Sequence, residues 1–266
     1  MNRLIRRDAC SDYGAIEGVN ISTLIHIGKS PRHYKWRRDH PSESTDAMKL
    51  GTAIHAAVLE PDVFARDYWC NAARMRPGQK RGGCELTASQ YETATAVASS
   101  VRSDMVAMRY LMSGEPEVAM QWIDAETGIQ CRGRIDWVTP NRVIPDLKSA
   151  RDVGSFGFCR QAAALEYHTK MAWYADGYET IIGHKPEIVV IAVENVAPYD
   201  VVCYKLEDDP ELDAGRDNYK ALLSKLQYCT ENNDWPGQSG NALQRLVLPR
   251  WCLPEEDGDV LEGMEF

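Results

Sequence analysis

The run Ile135-Asp136-Trp137-Val138-Thr139-Pro140-Asn141-Arg142-Val143-Ile144-Pro145-Asp146-Leu147-Lys148 decides how the chain is read. Strand-like segments, Ile129 to Val138 and Arg142 to Ser149, flank a Thr139-Pro140-Asn141 turn. Asp146 and Lys148 stand two apart on a strand, so they share a face, about 6.6 Å apart along it. An antiparallel hairpin centred near Asn141 sets Asp136 directly opposite Asp146, with Cβ atoms roughly 4.5–5.5 Å apart. Two carboxylates and one ammonium then converge on one patch of sheet. Carboxylates that close repel unless a cation neutralises them, and a hard divalent ion such as Mg²⁺ or Mn²⁺ does so best. Such an ion polarises a phosphodiester and lowers the pKa of a bound water. A neighbouring lysine orients that water or offsets phosphate charge. The plain alternative is a salt bridge on an exposed sheet face. Pro145 is awkward within such a strand: either the strand is bulged there or the missing donor points outward.

Upstream the periodicity is helical. Asn20-Ile21-Ser22 reads as a capped helix start, and Ser30-Pro31 as a second, with Ser at the cap and Pro at the first helical position. The second helix is basic, carrying Arg32, His33, Lys35, Arg37 and Arg38. Met48 to Leu59 is an apolar helix holding Gly51, Thr52 and His55, stopped by Glu60-Pro61. Arg74 to Gly83 is the most basic stretch, with Arg76, Lys80 and Arg81. Thr87 caps a long helical segment to about Met112. The period then changes: Glu117 to Asp124 is a strand, joined by the Glu126-Thr127-Gly128 turn to the strand that carries Asp136. Phe156 to Ile182 is helical, Glu187 to Glu194 is apolar enough for a buried strand, and Val201 to Leu206 is its hairpin partner. Glu211 to Cys229 forms a final helix. The expectation is one α/β domain over 1–266: a helical N-terminal region at about 20–112, a catalytic core at about 115–232 and an irregular acidic tail at about 254–266.

Composition bounds the function. The 266 residues are 44% hydrophobic and 26% charged, ordinary for a globular protein. No apolar run is long enough to span a membrane, and Met1 to Cys10 lacks the apolar stretch of a secretory signal. The eight cysteines are scattered with no C-x-x-C pair, which argues for reduced, mostly buried thiols in a cytoplasmic protein. A net charge of −9 argues against a general nucleic-acid coater. It leaves room for an enzyme that contacts DNA on one basic face.

Asp136, ten residues on to Asp146-x-Lys148, resembles the core motif of the PD-(D/E)XK nucleases. Leu50-Gly51-Thr52-Ala53-Ile54-His55 is similar to the G-T-A-x-H helix of the RecE-type phage recombination exonucleases (exonuclease VIII-like) and their RecB-type relatives. Tyr167-His168-Thr169-Lys170-Met171-Ala172-Trp173-Tyr174 resembles their Y-H-x-Q-A-x-x-Y helix, with Lys170 where the family has Gln. Ile21 to Leu24 and Ser30 to Tyr34 resemble their opening helices. The resemblance runs in order from about residue 18 to 180.

It implies an α/β fold with a PD-(D/E)XK restriction-endonuclease-like core, a central mixed β-sheet flanked by helices. It implies catalytic residues Asp136, Asp146, Lys148, His55 and Glu117. One or two Mg²⁺ ions, with Mn²⁺ able to substitute, would be held by Asp136, Asp146, the Leu147 carbonyl, His55 and Glu117. Gly51 would allow close packing. DNA contacts would come from Tyr167, Lys170, Arg32, Lys35, Arg76, Lys80 and Arg81. The implied activity is a 5′ to 3′ exonuclease at double-stranded DNA ends that leaves 3′ single-stranded tails. The implied partners are a RecT-like single-strand annealing protein and further copies of the chain, as a ring. Alternatives on the same core are an endonuclease, including a restriction enzyme, or a CRISPR-adaptation-like nuclease. The wide separation of Cys229 and Cys252 counts against the iron–sulfur cluster common in the latter. A non-catalytic DNA-end-binding module is a third class. For Trp173 and Tyr174 an aromatic core stripe is the favoured reading.

Overall fold

In the computed structural model, which describes residues 2–6, 13–41, 43–70, 83–240 and 242–252, the N-terminal region folds as its capping residues dictate. Strands β1 (Arg3–Ile5) and β2 (Val19–Asn20) come first. The Asn20 Oδ1 then accepts the Thr23 N–H at 2.9 Å and starts α1 (Ile21–Leu24). After α2 (His26–Lys29), the Ser30 hydroxyl accepts the His33 N–H at 3.2 Å and starts α3 (Pro31–Asp39). Thr45 caps α4 (Asp46–Leu59), followed by α5 (Pro61–Asp67), β3 (Tyr68–Cys70) and β4 (Cys84–Leu86). Thr87 and Gln90 form a reciprocal capping box at α6 (Ala88–Ser103).

The segment expected as one helix to Met112 breaks at Asp104. Its carboxylate accepts the Val106 and Ala107 N–H groups and starts a new helix, α7 (Met105–Leu111). Next come β5 (Glu115–Ile123), β6 (Gln130–Val138) and β7 (Val143–Ala150). The Phe156–Ile182 segment is likewise two helices, α8 (Ser155–Ala164) and α9 (Tyr167–Ile182), separated by Glu166 at φ 54°. Then come β8 (Glu187–Glu194), β9 (Val201–Leu206) and α10 (Asp213–Glu231).

The strands form a four-stranded sheet in the order β1-β5-β6-β2, a β3-β4 pair, and a three-stranded sheet in the order β7-β8-β9. Both larger sheets mix parallel and antiparallel pairs: β2 runs parallel to β6, and β7 parallel to β8. The hairpin expected between the Asp136 and Asp146 strands is therefore absent as a ladder. β6 pairs with β5 and β7 pairs with β8. Past the turn, where the Thr139 N–H reaches the Val143 carbonyl at 3.0 Å, β6 and β7 part.

Pro145 explains how the parting is tolerated. N–H groups alternate sides along a strand, so those of Val143 and Leu147 and the missing one of Pro145 all face β6. The Thr139 hydroxyl takes the Val143 N–H at 2.9 Å, and the Asp136 carboxylate takes the Leu147 N–H at 3.0 Å. Pro145 has none to satisfy.

β8 is central and buried on both faces, hence its unbroken apolar run. Ile188, Val190 and Ala192 pack with Trp173 of α9 and with α1, α2 and α10. Val189, Ile191 and Val193 pack with α4 and α6 on the other side. The result is a three-layer α/β/α arrangement. Gly177 lets α9 lie against the Trp122 ring, since a Cβ there would fall 2.8–2.9 Å from it. Gly51, expected to serve close packing, does not: a Cβ there would meet nothing within 4 Å. Among the described cysteines all are free; Cys131 and Cys229 are buried, whereas Cys159 and Cys252 are exposed. "Mostly buried" thus holds for only part of the set. Among the described residues no helix is long and apolar enough to cross a membrane.

Two glycine substitutions should move stability in opposite directions. Gly51→Ala should raise the unfolding free energy by about 0.5–1 kcal/mol, because alanine costs less backbone entropy in a helix. Gly177→Ala should lower it by about 1–3 kcal/mol through overpacking against Trp122. Urea unfolding of the two variants checks both signs.

Candidate metal centre

The centre lies where β6 and β7 part. In the β5–β6 ladder, Pro116 pairs with Trp137 and Val118 with Ile135, so Glu117 and Asp136 stand across from one another between these pairs. Asp136 thus opposes Glu117, and Asp146 approaches from the neighbouring sheet. Glu117 holds φ 53°, a left-handed conformation costing roughly 1–2 kcal/mol in a non-glycine residue.

His55 comes from α4, the helix that packs beside β6 and β7. Its Nδ1 lies 3.5 Å from the Asp136 Oδ2. Ligand atoms of His55, Glu117 and Asp136 all fall within 4.8 Å of one another. Of the five residues the sequence pointed to as metal ligands, these three form one cluster.

Asp146 and Lys148 form a second group beside it. The Asp146 side chain is 3% exposed and in contact with the Lys148 ammonium. That ammonium also lies 3.4 Å from the Leu147 carbonyl. The buried Asp146 Oδ2 has the Lys148 ammonium as its charged hydrogen-bond partner. Burial pushes the Asp146 carboxyl up to about 6; Lys148 pulls against this and Asp136 adds to it. Burial alone would lower the Lys148 pKa, but the Asp146 and Asp136 carboxylates more than reverse it, and the ammonium is held above its ordinary range.

This donor set fits a hard divalent cation. It has carboxylate oxygens, a nearby main-chain carbonyl and an imidazole nitrogen. His55, Glu117 and Asp136 would hold the ion, with Asp146 and the Leu147 carbonyl at its edge.

The α9 helix brings the other expected residues. The Tyr167 ring meets two ammoniums: Lys148 Nζ and Lys170 Nζ each sit 5.5 Å from its centroid. Burial, then the Lys148 charge, lowers the Lys170 pKa. Trp173 is 1% exposed, in the core, and donates to the Arg132 carbonyl at 3.1 Å.

Arg32 and Lys35 lie apart from this group, against the segment after α10. The Arg32 N–H donates to the Pro236 carbonyl, and Lys35 lies over the Trp235 ring. Arg76, Lys80 and Arg81 fall outside the described residues.

Sequence reasoning missed Arg134, whose Nε lies 2.8 Å from the Glu117 Oε2. The signal was available: Arg134 is two residues before Asp136 on one strand and so shares its face.

The comparisons agree with this architecture. Residues 20–244 match the family described as PDDEXK-like domain of unknown function (DUF3799). No curated protein matches the chain. Among solved structures, one from Eubacterium rectale named "Putative exonuclease" superposes with a TM-score of 0.62 at 13% identity, covering 88% of this chain and 91% of that one. Another, SSO0001, covers 87% of this chain and 92% of that one at 9% identity with a TM-score of 0.39. With most of its length inside the family match and the matching fold around the site, the chain belongs to the PDDEXK-like DUF3799 family.

Proposed function

We propose that the protein is a metal-dependent DNA nuclease acting as an exonuclease on double-stranded ends. The observation that carries this reading is the gathering of His55, Glu117 and Asp136 into one cluster beside the buried Asp146–Lys148 pair. A divalent ion, Mg²⁺ or Mn²⁺, would supply Lewis acidity toward a phosphodiester and a water of lowered pKa.

The chain's own groups do the rest. Asp136 is oriented by the Leu147 N–H, which donates to Oδ2, the same oxygen that lies 3.5 Å from the His55 Nδ1. Lys148, anchored by Asp146, presents a fixed ammonium that offsets charge on the phosphate under attack. Tyr167 backs that ammonium, and Lys170 extends the cationic surface along α9. Lys170 in place of the Gln found in similar nucleases retains phosphate contact. Its effect falls on rate or metal geometry. The motifs shared with the RecE-type exonucleases support 5′ to 3′ digestion, 3′ single-stranded tails, an annealing partner, a ring of copies and a cytoplasmic setting.

Linear duplex labelled separately at its 5′ and 3′ ends, with closed circular DNA alongside, tests this reading. Magnesium-dependent loss of the 5′ label from linear DNA alone is the expected result. Cutting of closed circles would make the protein an endonuclease. No cleavage with Mg²⁺ or Mn²⁺ by folded protein would leave a DNA-end-binding module.

Lys148→Ala and Asp136→Ala should each lower the rate by about 10²–10³-fold, with His55→Ala weaker in effect. Thermal melts on the same preparations should show all three folded. The acid limb of kcat/KM should follow Asp146. Burial, offset in part by Lys148, holds its carboxyl above the ordinary carboxylate range, so it takes a proton at a higher pH than a solvated aspartate, and below that pH the rate should fall about tenfold per pH unit. Above it the carboxylate is ionised and the rate should level off. A pH–rate profile flat down to pH 5 would remove Asp146 from this role.

A further inference from the structure

Arg132, Arg134 and Asp136 alternate along β6 and so line one face of it. Consecutive members stand about 6.8 Å apart along the strand, close to the separation of neighbouring phosphates in a nucleic-acid strand. Two of the three are cations, and both guanidiniums lie over the ring of Tyr13, at 4.9 and 5.2 Å. Arg132 is fixed there: its Nη1 donates to the carbonyls of Tyr13, Gly14 and Ile16. Its Nε is buried without an acceptor.

Past Arg132 the row opens into a cleft of 440 Å³, lined also by Arg37, Arg38, Thr23, Asn20 and Tyr34. No carboxylate is among its described lining residues, in a chain with 39 acidic against 30 basic residues. Asp39 pairs with Arg38 at 2.8 Å and offsets part of that charge. Nearby, burial first and then the charges of Arg37, His33 and Lys29 hold the His26 imidazole below its ordinary range.

We propose that this row and cleft hold the backbone of the DNA strand that passes through the metal centre. One phosphate sits at Arg134 and a further one among Arg37, Arg38 and Arg132. The reading rests on the proposed nuclease activity and adds a path for the strand on one side of the cut. Arg134 is suited to the nearer position: it leans on Glu117 at the metal cluster, and its side chain is half exposed. The Thr23 hydroxyl and the Asn20 side chain give the cleft neutral groups beside its guanidiniums. All these contacts are to phosphate, so the path grips any sequence alike.

The experiment measures binding of the full chain to a labelled linear duplex by fluorescence anisotropy, with Ca²⁺ in place of Mg²⁺, between 50 and 200 mM salt (about the range over which phosphate contacts weaken most visibly). Arg134→Gln and Arg37→Gln should each make the slope of log K against log salt shallower by about 1. Arg134→Lys, which keeps the charge, should retain the wild-type slope. Arg109→Gln, at the far turn beside Pro140 and Asn141, should also retain it. Circular dichroism establishes that each variant is folded. Wild-type slopes for both Gln variants, in a protein that binds and cleaves DNA, would overturn the path and leave the nuclease reading standing. Absence of DNA binding and cleavage by the wild-type chain would overturn both.

Discussion

The Leu147 N–H donates to the Asp136 carboxylate, and the arrangement of the centre depends on that bond. An N–H at this place in a continuous sheet would pair with a main-chain carbonyl. Here β6 turns away to pair with β5 and β7 pairs with β8, and a side-chain oxygen fills the gap. A buried N–H left without a partner costs about 1–3 kcal/mol, so the carboxylate closes the parting as well as marking the site. It also fixes Asp136: one oxygen is tied to β7, and the group is held where His55 and Glu117 reach it. Pro145 belongs to the same solution, since a residue without an N–H adds no unpaired donor to the gap.

Charge is balanced around this point pair by pair. Glu117 leans on Arg134, Asp146 on Lys148, and Asp136 on the Leu147 N–H and the His55 ring. Each carboxylate has a local partner, which lets three of them gather at the edge of a hydrophobic core without unfolding it. The partners differ in solvation. Arg134 is half exposed, whereas Asp146 is almost wholly buried. The Glu117 pair is solvated on its cationic side alone, since the Glu117 side chain is 16% exposed. The buried pair is costly to break. The half-exposed Arg134 thus sets the Glu117 pair apart from the buried Asp146–Lys148 pair.

Much of this was legible in the sequence, and the rest was hidden for identifiable reasons. The caps at Asn20, Ser30 and Thr87, the strand alternation and the apolar β8 are local signals, and local chemistry set them. The break at Asp104 was also readable, since an aspartate before Met105-Val106-Ala107 is a natural cap. The left-handed Glu166 and Glu117 carry no such mark, because surrounding packing imposes those conformations. The facing of Asp136 and Asp146 was misjudged because a short turn suggests a hairpin. Which strand β7 pairs with is decided by the apolar run of β8, some forty residues on. The residue types of the centre were legible, but their partition into a three-residue cluster and a separate buried pair was not.

The acidic balance of the chain and a surface suited to phosphate are compatible once position is weighed instead of totals. At about 0.15 M ionic strength, charges more than roughly 8 Å apart across solvent are largely screened. A net charge of −9 summed over the whole sequence therefore does not fix the potential at a short basic row. What the strand would meet locally is Arg132 and Arg134 along β6, Lys148 held by Asp146, and Lys170 beside the Tyr167 ring. Lys170 is the least compensated of these: its pKa is lowered by burial and by Lys148, so an approaching anion would relieve both like-charge repulsion and lost hydration. A phosphate beside Lys170 would thus offset the repulsion and the lost hydration at that one side chain, which ties its electrostatic cost to the proposed ligand.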